Sequence, residues 1–182
     1  MDDPRYPIGK FRIEGEITGP RRAQWIAEIA ETPARLRSAV EGLTPEQLDT
    51  PYRPGGWTVR QVVHHLPDSH MNSYIRFRLA LTEEEPVVKP YQEAKWAELA
   101  DARTAPVEVS LALLEAIHGR WVILMQSFGE AEFACAFRHP DLGLQRLDAS
   151  LGLYAWHGRH HVAQIAALRS GKGWGPNAIR AE

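Results

Sequence analysis

Apolar positions repeat at helical spacing in four long segments, and polar, Pro- and Gly-rich stretches separate them. The first segment begins near Pro20, where Trp25, Ile29, Leu36, Val40 and Leu43 step mostly by three, four or seven residues. Pro33 interrupts it, and a proline inside a helix removes a hydrogen bond, so the pattern predicts one kinked helix or two short ones. Thr44 and Gln47 form a capping box with Pro45 at the first helical position, which predicts a brief turn ending near Leu48. The stretch TPYRPGG then stops any helix. Thr58 and Gln61 make a second capping box, opening a long helix that runs to about Leu81. TEEEPVVKPYQEAKW is polar with two prolines and reads as an ordered connection. From about Pro106 another helix places Leu111, Leu114, His118, Trp121, Met125 and Phe128 on one face. Phe133, Cys135 and Phe137 alternate before the turn residues HPDLG, and Leu142, Leu144 and Arg146 alternate near and after them, which predicts a short hairpin. Asp148 caps a last helix reaching about Ser170, where Gly171 and Gly173 stop it.

The first 19 residues lack periodicity and read as an arm, with Phe11 and Ile13 as anchors. The expected architecture is all-α: a four-helix bundle with a short β-hairpin and an N-terminal arm. Residues 1–19 form the arm, 20–175 the bundle domain and 176–182 a tail.

Composition narrows the function. Lys plus Arg number 21 against 23 Asp plus Glu, a formal charge of −2 in 182 residues, which argues against nucleic-acid binding. The single cysteine, Cys135, excludes an intramolecular disulfide and a Cys-rich zinc module. No apolar run approaches the roughly 20 residues that span a bilayer, and the acidic, Pro-rich start MDDPRYPIGK does not read as a signal peptide. A cytoplasmic protein without membrane or nucleic-acid partners is expected. Against this background stand eight histidines and six tryptophans, many of them between Trp57 and His70 or between Trp156 and His161.

His157 and His161 lie four apart on the last helix, one turn above the other, a spacing that lets two imidazoles grip one divalent ion. At about 100° per residue they flank the apolar set Leu151, Tyr154, Ala155, Val162, Ile165 and Ala166, whereas His160 points away toward solvent. Gly158 stands where a metalloprotease motif needs Glu, so no built-in base accompanies the pair. A third ligand could come from His64, His65, His70, His118 or His139, and helical phase does not choose between His64 and His65. Hydrogen-bonded histidines in a metal-free core satisfy the same pattern.

The stretch PYRPGGWTVRQVVHHLPDSHMNSYIRFRLALTEE, with LALLEAIHGRW, FRHPD and LGLYAWHGRHHVAQI, resembles the YfiT family of the DinB-like superfamily of bacterial four-helix-bundle metalloproteins. The resemblance extends from YPIG at Tyr6 to Trp174. It implies a mononuclear site of three histidines, the one before Leu in HL-x-D and the two of the last-helix HxxxH, which here are His65, His157 and His161. Pro67 inside HLPD departs from an unbroken helix and sets a potential kink beside His65. The resemblance also implies a homodimer and a metal-dependent hydrolase acting on a small molecule. Relatives in the superfamily are similar to S-transferases that join a low-molecular-weight bacterial thiol to electrophiles. A non-catalytic metal-binding stress protein is a further alternative.

Three neutral imidazoles leave a divalent ion its full charge, able to acidify water or to bind a thiol. Zinc is the first expectation for the one ion per chain and nickel the second. Asp68 reads either as a carboxylate orienting a ligand imidazole or as a surface residue. Tyr154 and Gln164 lie one turn either side of the pair, Tyr154 reading as core; His118 reads as a hydrogen-bonded core residue. Arg76, Arg78 and Arg120 read either as bidentate partners of a substrate carboxylate or, as on most bundle surfaces, as solvated groups, and Cys135 has no adjacent His in sequence.

Overall fold

The structure is a computed structural model that describes residues 3–175; the expected tail over 176–182 lies outside the described residues. Four long helices make the bundle: α1 (Gly19–Val40), α3 (Val59–Thr82), α6 (Val107–Gln126) and α8 (Leu147–Lys172). The Thr58/Gln61 capping box opens α3 as expected, and Thr44/Gln47 does the same for the single-turn α2 (Pro45–Leu48). Pro33 and Pro67 are both absorbed: α1 and α3 each run unbroken through their proline. Asp148 does not cap α8. It sits in the first turn and pairs with Arg146, which holds the N-cap position without a side-chain cap. Gly173, in the left-handed region at φ 66°, closes the helix at its far end.

Three short helices have no counterpart in the sequence pattern's long segments: α4 (Glu93–Trp96), α5 (Ala100–Thr104) and α7 (Glu130–Ala134). The Gln61 side chain donates to the Ala97 carbonyl at 2.7 Å and so ties the α4–α5 segment to the start of α3. The expected hairpin is present as β1 (Ala136–His139) and β2 (Gly143–Arg146), antiparallel with Phe137 opposite Gln145. Phe137 plugs into the core, and Val87 bridges alongside Arg138.

The connectivity differs from an up-and-down bundle, in which consecutive helices are neighbours. α1 packs on α6 and α8, and α3 packs on the same two, so α1 faces α3 across a diagonal. The two diagonal crossings, 41–58 and 127–146, hold α2 and the α7–hairpin unit. The core separates into two apolar clusters. One gathers Trp25, Ile29, Phe77, Trp121, Leu151 and Tyr154, and the other Leu36, Val62, Leu66, Leu114 and Ile165. Between them every long helix contributes buried polar groups: Thr32 on α1, His65 and His70 on α3, His118 on α6, and His161 on α8. The polar waist of the bundle is where the histidines meet.

The arm lies on α8. Phe11 packs on Trp156, whose indole N–H donates to the Gly9 carbonyl at 3.2 Å, while the Tyr6 ring lies tilted beside His160. Ile13 is exposed and anchors nothing; Ile17 packs on the core in its place. The α1–α8 approach depends on two glycines of α8. A Cβ on Gly152 would lie 2.8 Å from the Trp25 ring, and one on Gly158 would lie 2.7 Å from the Thr32 side chain. Neither a buried indole nor a β-branched side chain has room to yield. Gly152→Ala and Gly158→Ala should therefore destabilise the protein, although alanine gains about 1 kcal/mol of helix propensity over glycine. Overpacking of about 1–3 kcal/mol outweighs that gain, and urea denaturation should show lower midpoints for both variants. An unchanged or raised midpoint would mean that α1 and α8 do not approach so closely.

Candidate metal centre

His65 projects from α3 and His157 and His161 from α8, and these three form the group among the described residues whose side chains could hold a metal ion. Nε2 of His157 lies 3.3 Å from Nε2 of His65 and 3.2 Å from Nε2 of His161. The edge of a tetrahedron built on Zn–N bonds of about 2.0–2.1 Å is about 3.3 Å. Trp57 lies over His65 with ring centroids 4.8 Å apart, and Tyr154 walls the side of His157 at 5.8 Å.

Hydrogen bonds behind the cluster fix where the protons sit. The Arg5 carbonyl in the arm can only accept, so the Gln164 atom facing it at 3.0 Å is the amide nitrogen. The Gln164 oxygen then faces Nδ1 of His161 at 2.8 Å, and that nitrogen must carry the proton. A second chain starts at the Ile29 carbonyl of α1, which accepts from Nδ1 of His118 at 2.6 Å. A neutral imidazole has one N–H, so Nε2 of His118 accepts from Nδ1 of His70 at 2.8 Å. Nε2 of His70 in turn accepts from Nδ1 of His157 at 3.1 Å. Both chains end with a bare lone pair on Nε2, one on His157 and one on His161.

Two lone pairs facing each other at 3.2 Å cannot form a hydrogen bond with each other. A cation between them turns that opposition into a ligand set, and this is how the donor set fits an ion. Burial keeps the rings in the neutral, metal-binding form. It pushes His65 and His118 down to about 4, and it holds His70, His157 and His161 well below the usual histidine value, with neighbouring imidazoles adding to the effect.

The other sequence candidates fall elsewhere. His64 is bound to Ser110 Oγ at 2.7 Å and faces the Ala105 carbonyl at 3.2 Å, so α3 turns His65, not His64, to the cluster. His139 stays on the hairpin beside Asp141. His160 corrects the sequence reading. It is buried, stacked on Trp156 at 4.4 Å, and takes a hydrogen bond from Gln164 at 3.0 Å, because the arm covers the face that helical phase assigned to solvent. Asp68 does not orient His157 or His161; His70 and Gln164 do. Asp68 is half-buried toward Asp101, and burial raises it to about 6. Arg78 and Arg120 flank Tyr74, and the Cys135 thiol contacts the Ala131 carbonyl. Gln164 was visible in the sequence as a neighbour of the pair, and His118 as a member of an apolar face. The Ile29 and Arg5 carbonyls are main-chain groups and leave no trace in a side-chain pattern.

Buried neutral histidines tie stability to pH. Their folded-state values lie below 6.5, so the unfolded chain binds more protons as pH falls below that point, and stability drops with it. Asp68, raised in the fold, works in the opposite direction but is a single group. Metal-free protein should lose at least about 2 kcal/mol between pH 7 and 5, which is what two such rings contribute after the opposing share of Asp68, read from urea midpoints. Equal midpoints at the two pH values would show that these rings are not held neutral.

Comparison with known proteins agrees with this architecture. The family model of the DinB superfamily matches residues 28–165. A Bacillus cereus protein named as a candidate metal-dependent hydrolase is 56% identical over 174 residues, covering 96% of this chain and 100% of the relative. A Bacillus mycoides protein of the same name is 55% identical over 174 residues with the same coverage. The solved structure of YfiT from Bacillus subtilis, described as a probable metal-dependent hydrolase with an unusual four-helix bundle topology, superposes with a TM-score of 0.92 at 51% identity. It covers 94% of this chain and 99% of its own. With its diagonal bundle and histidine waist, the chain belongs to the YfiT family of the DinB superfamily.

Proposed function

We propose that the protein is a metal-dependent hydrolase of a small-molecule substrate, with one divalent ion held by His65, His157 and His161. The observation that carries this reading is the convergence of three imidazoles with no fourth residue in the group among the described residues. A structural site is closed by four protein ligands, whereas a catalytic one keeps a position for water or substrate. His70 stands behind His157 and bonds to its far side, and His118 stands behind His70 in turn, so neither closes the site. A zinc or nickel ion in such a site supplies a Lewis acid that lowers the pKa of water toward about 7. The chain's own residues set the frame: His157 and His161 present bare nitrogens, while Trp57 and Tyr154 wall the cluster with aromatic rings.

The same all-imidazole set suits a thiol, and transfer of a low-molecular-weight thiol to an electrophile is the second reading. Protein loaded with zinc or nickel should be screened against esters and amides in one arm, and against chlorinated or epoxide electrophiles plus thiol in the other. Turnover in the first arm supports the hydrolase, turnover confined to the second supports the transferase, and metal-independent turnover or none contradicts the enzyme reading.

The site belongs to a cytoplasmic homodimer in this proposal. Among the described residues no helix is long and apolar enough to cross a membrane. Val87, Leu142 and Leu144, exposed on and beside the hairpin, supply an apolar surface for a second copy. Sedimentation at micromolar concentration should give the dimer mass, and a 20.5 kDa monomer would contradict it. Metal analysis should give about one ion per chain. His65→Ala, His157→Ala and His161→Ala should each lose it, and His160→Ala should keep it. Full retention by His157→Ala would overturn the ligand set. Chelation should lower the melting temperature while circular dichroism stays helical, because the two apolar clusters do not need the ion.

A further inference from the structure

We propose that His70 and His118 are positioning residues that hold His157 in the one tautomer able to bind an ion, with the Ile29 carbonyl as their fixed point. The proposal rests on the metal-site reading above. It concerns two residues that would touch neither ion nor substrate, and a main-chain atom on a third helix.

The direction of the chain follows from its end. Ile29 O has no proton to give, so each ring from His118 to His157 is committed in turn, and with all three rings neutral no other assignment of protons satisfies all three contacts. His70 is 0% and His118 1% exposed, so solvent cannot substitute for a lost partner. Their rings stack at 4.8 Å with planes 19° apart, and Trp121 meets both edge-on at 6.0 and 6.1 Å. This packing keeps either ring from turning over. If His118 could not accept, the His70 proton would be free to move to Nε2. It would then oppose the N–H of His157 and drive that proton to the nitrogen that faces the ion. A buried N–H left without a partner costs about 1–3 kcal/mol, so the three rings change together or not at all. Metal-binding histidines commonly donate their other N–H to a carboxylate or a carbonyl, and loss of such a partner costs about 10–100-fold in metal affinity. Here the carbonyl acts at a distance, through two intervening imidazoles that carry no charge.

Two substitutions separate positioning from filling space. His118→Phe keeps a ring of similar size but cannot accept from His70. His118→Gln can offer its oxygen to His70 and its amide N–H to Ile29. Cobalt titration of folded, metal-free protein, followed by absorption, should show His118→Phe binding at least 10-fold more weakly than the wild type. His118→Gln should stay within about threefold of the wild type. Long-range nitrogen–proton correlation spectra of metal-free wild type should place the proton of His157 on Nδ1, and in His118→Phe it should move at least partly to Nε2. A folded His118→Phe with wild-type cobalt affinity would overturn the proposal. If that variant does not fold, the wild-type spectrum still decides: a proton on Nε2 of His157 overturns it. Failure of wild-type protein to bind cobalt at all would count against the metal-site reading instead, and the spectrum, recorded without metal, keeps the two failures apart.

Discussion

A buried imidazole must have its N–H satisfied, and in this bundle that requirement organises the centre of the molecule. His70 and His118 have no access to water, so their partners must come from the protein. The chain from His157 through His70 and His118 to the Ile29 carbonyl links α8, α3, α6 and α1, one contribution from each long helix. Hydrophobic burial above and below holds the helices together without specifying their register. The imidazole chain does specify it, because a shift along any one helix would leave a buried donor or acceptor facing nothing.

That chain can close only if α1 comes near enough to offer a main-chain carbonyl to the waist. The diagonal connectivity places α1 against both α6 and α8, and Gly158, beside His157 in sequence, lets Thr32 pack directly on the α8 backbone. The N-terminal arm plays the matching part on the outer face. Its Arg5 carbonyl fixes the Gln164 amide, which fixes His161. Two main-chain carbonyls, one within a helix and one in an irregular arm, thus set the proton positions on two of the three proposed ligands. The apolar clusters make the fold; the carbonyls prepare the site.

Much of this was legible in the residues. The capping boxes at Thr44 and Thr58 gave two helix starts, alternation around HPDLG gave the hairpin, and the spacing of His157 and His161 put both on one helix face. The choice of His65 over His64 came from the family resemblance, since both lie equally far from the apolar face of α3. What the pattern missed has a common cause. Helical phase assigns His160 to solvent because phase on one helix knows nothing of an arm that folds back over it. The sequence leaves Asp68 open between an orienting carboxylate and a surface residue, and neutral His70 and Gln164 occupy the positions behind His157 and His161. The short helices α4, α5 and α7 arise within connections, where tertiary contacts such as Gln61 to Ala97 decide the backbone.

The measurement that bears most directly on the proposed centre is X-ray absorption at the zinc edge on protein loaded with one equivalent of zinc. Three imidazole nitrogens at about 2.0–2.1 Å, completed by a light atom from water or buffer and with no sulfur, is the predicted shell. A fourth imidazole would mean that His70 or another histidine closes the site. A shell with two imidazoles or fewer would mean that the convergence of His65, His157 and His161 does not serve a metal.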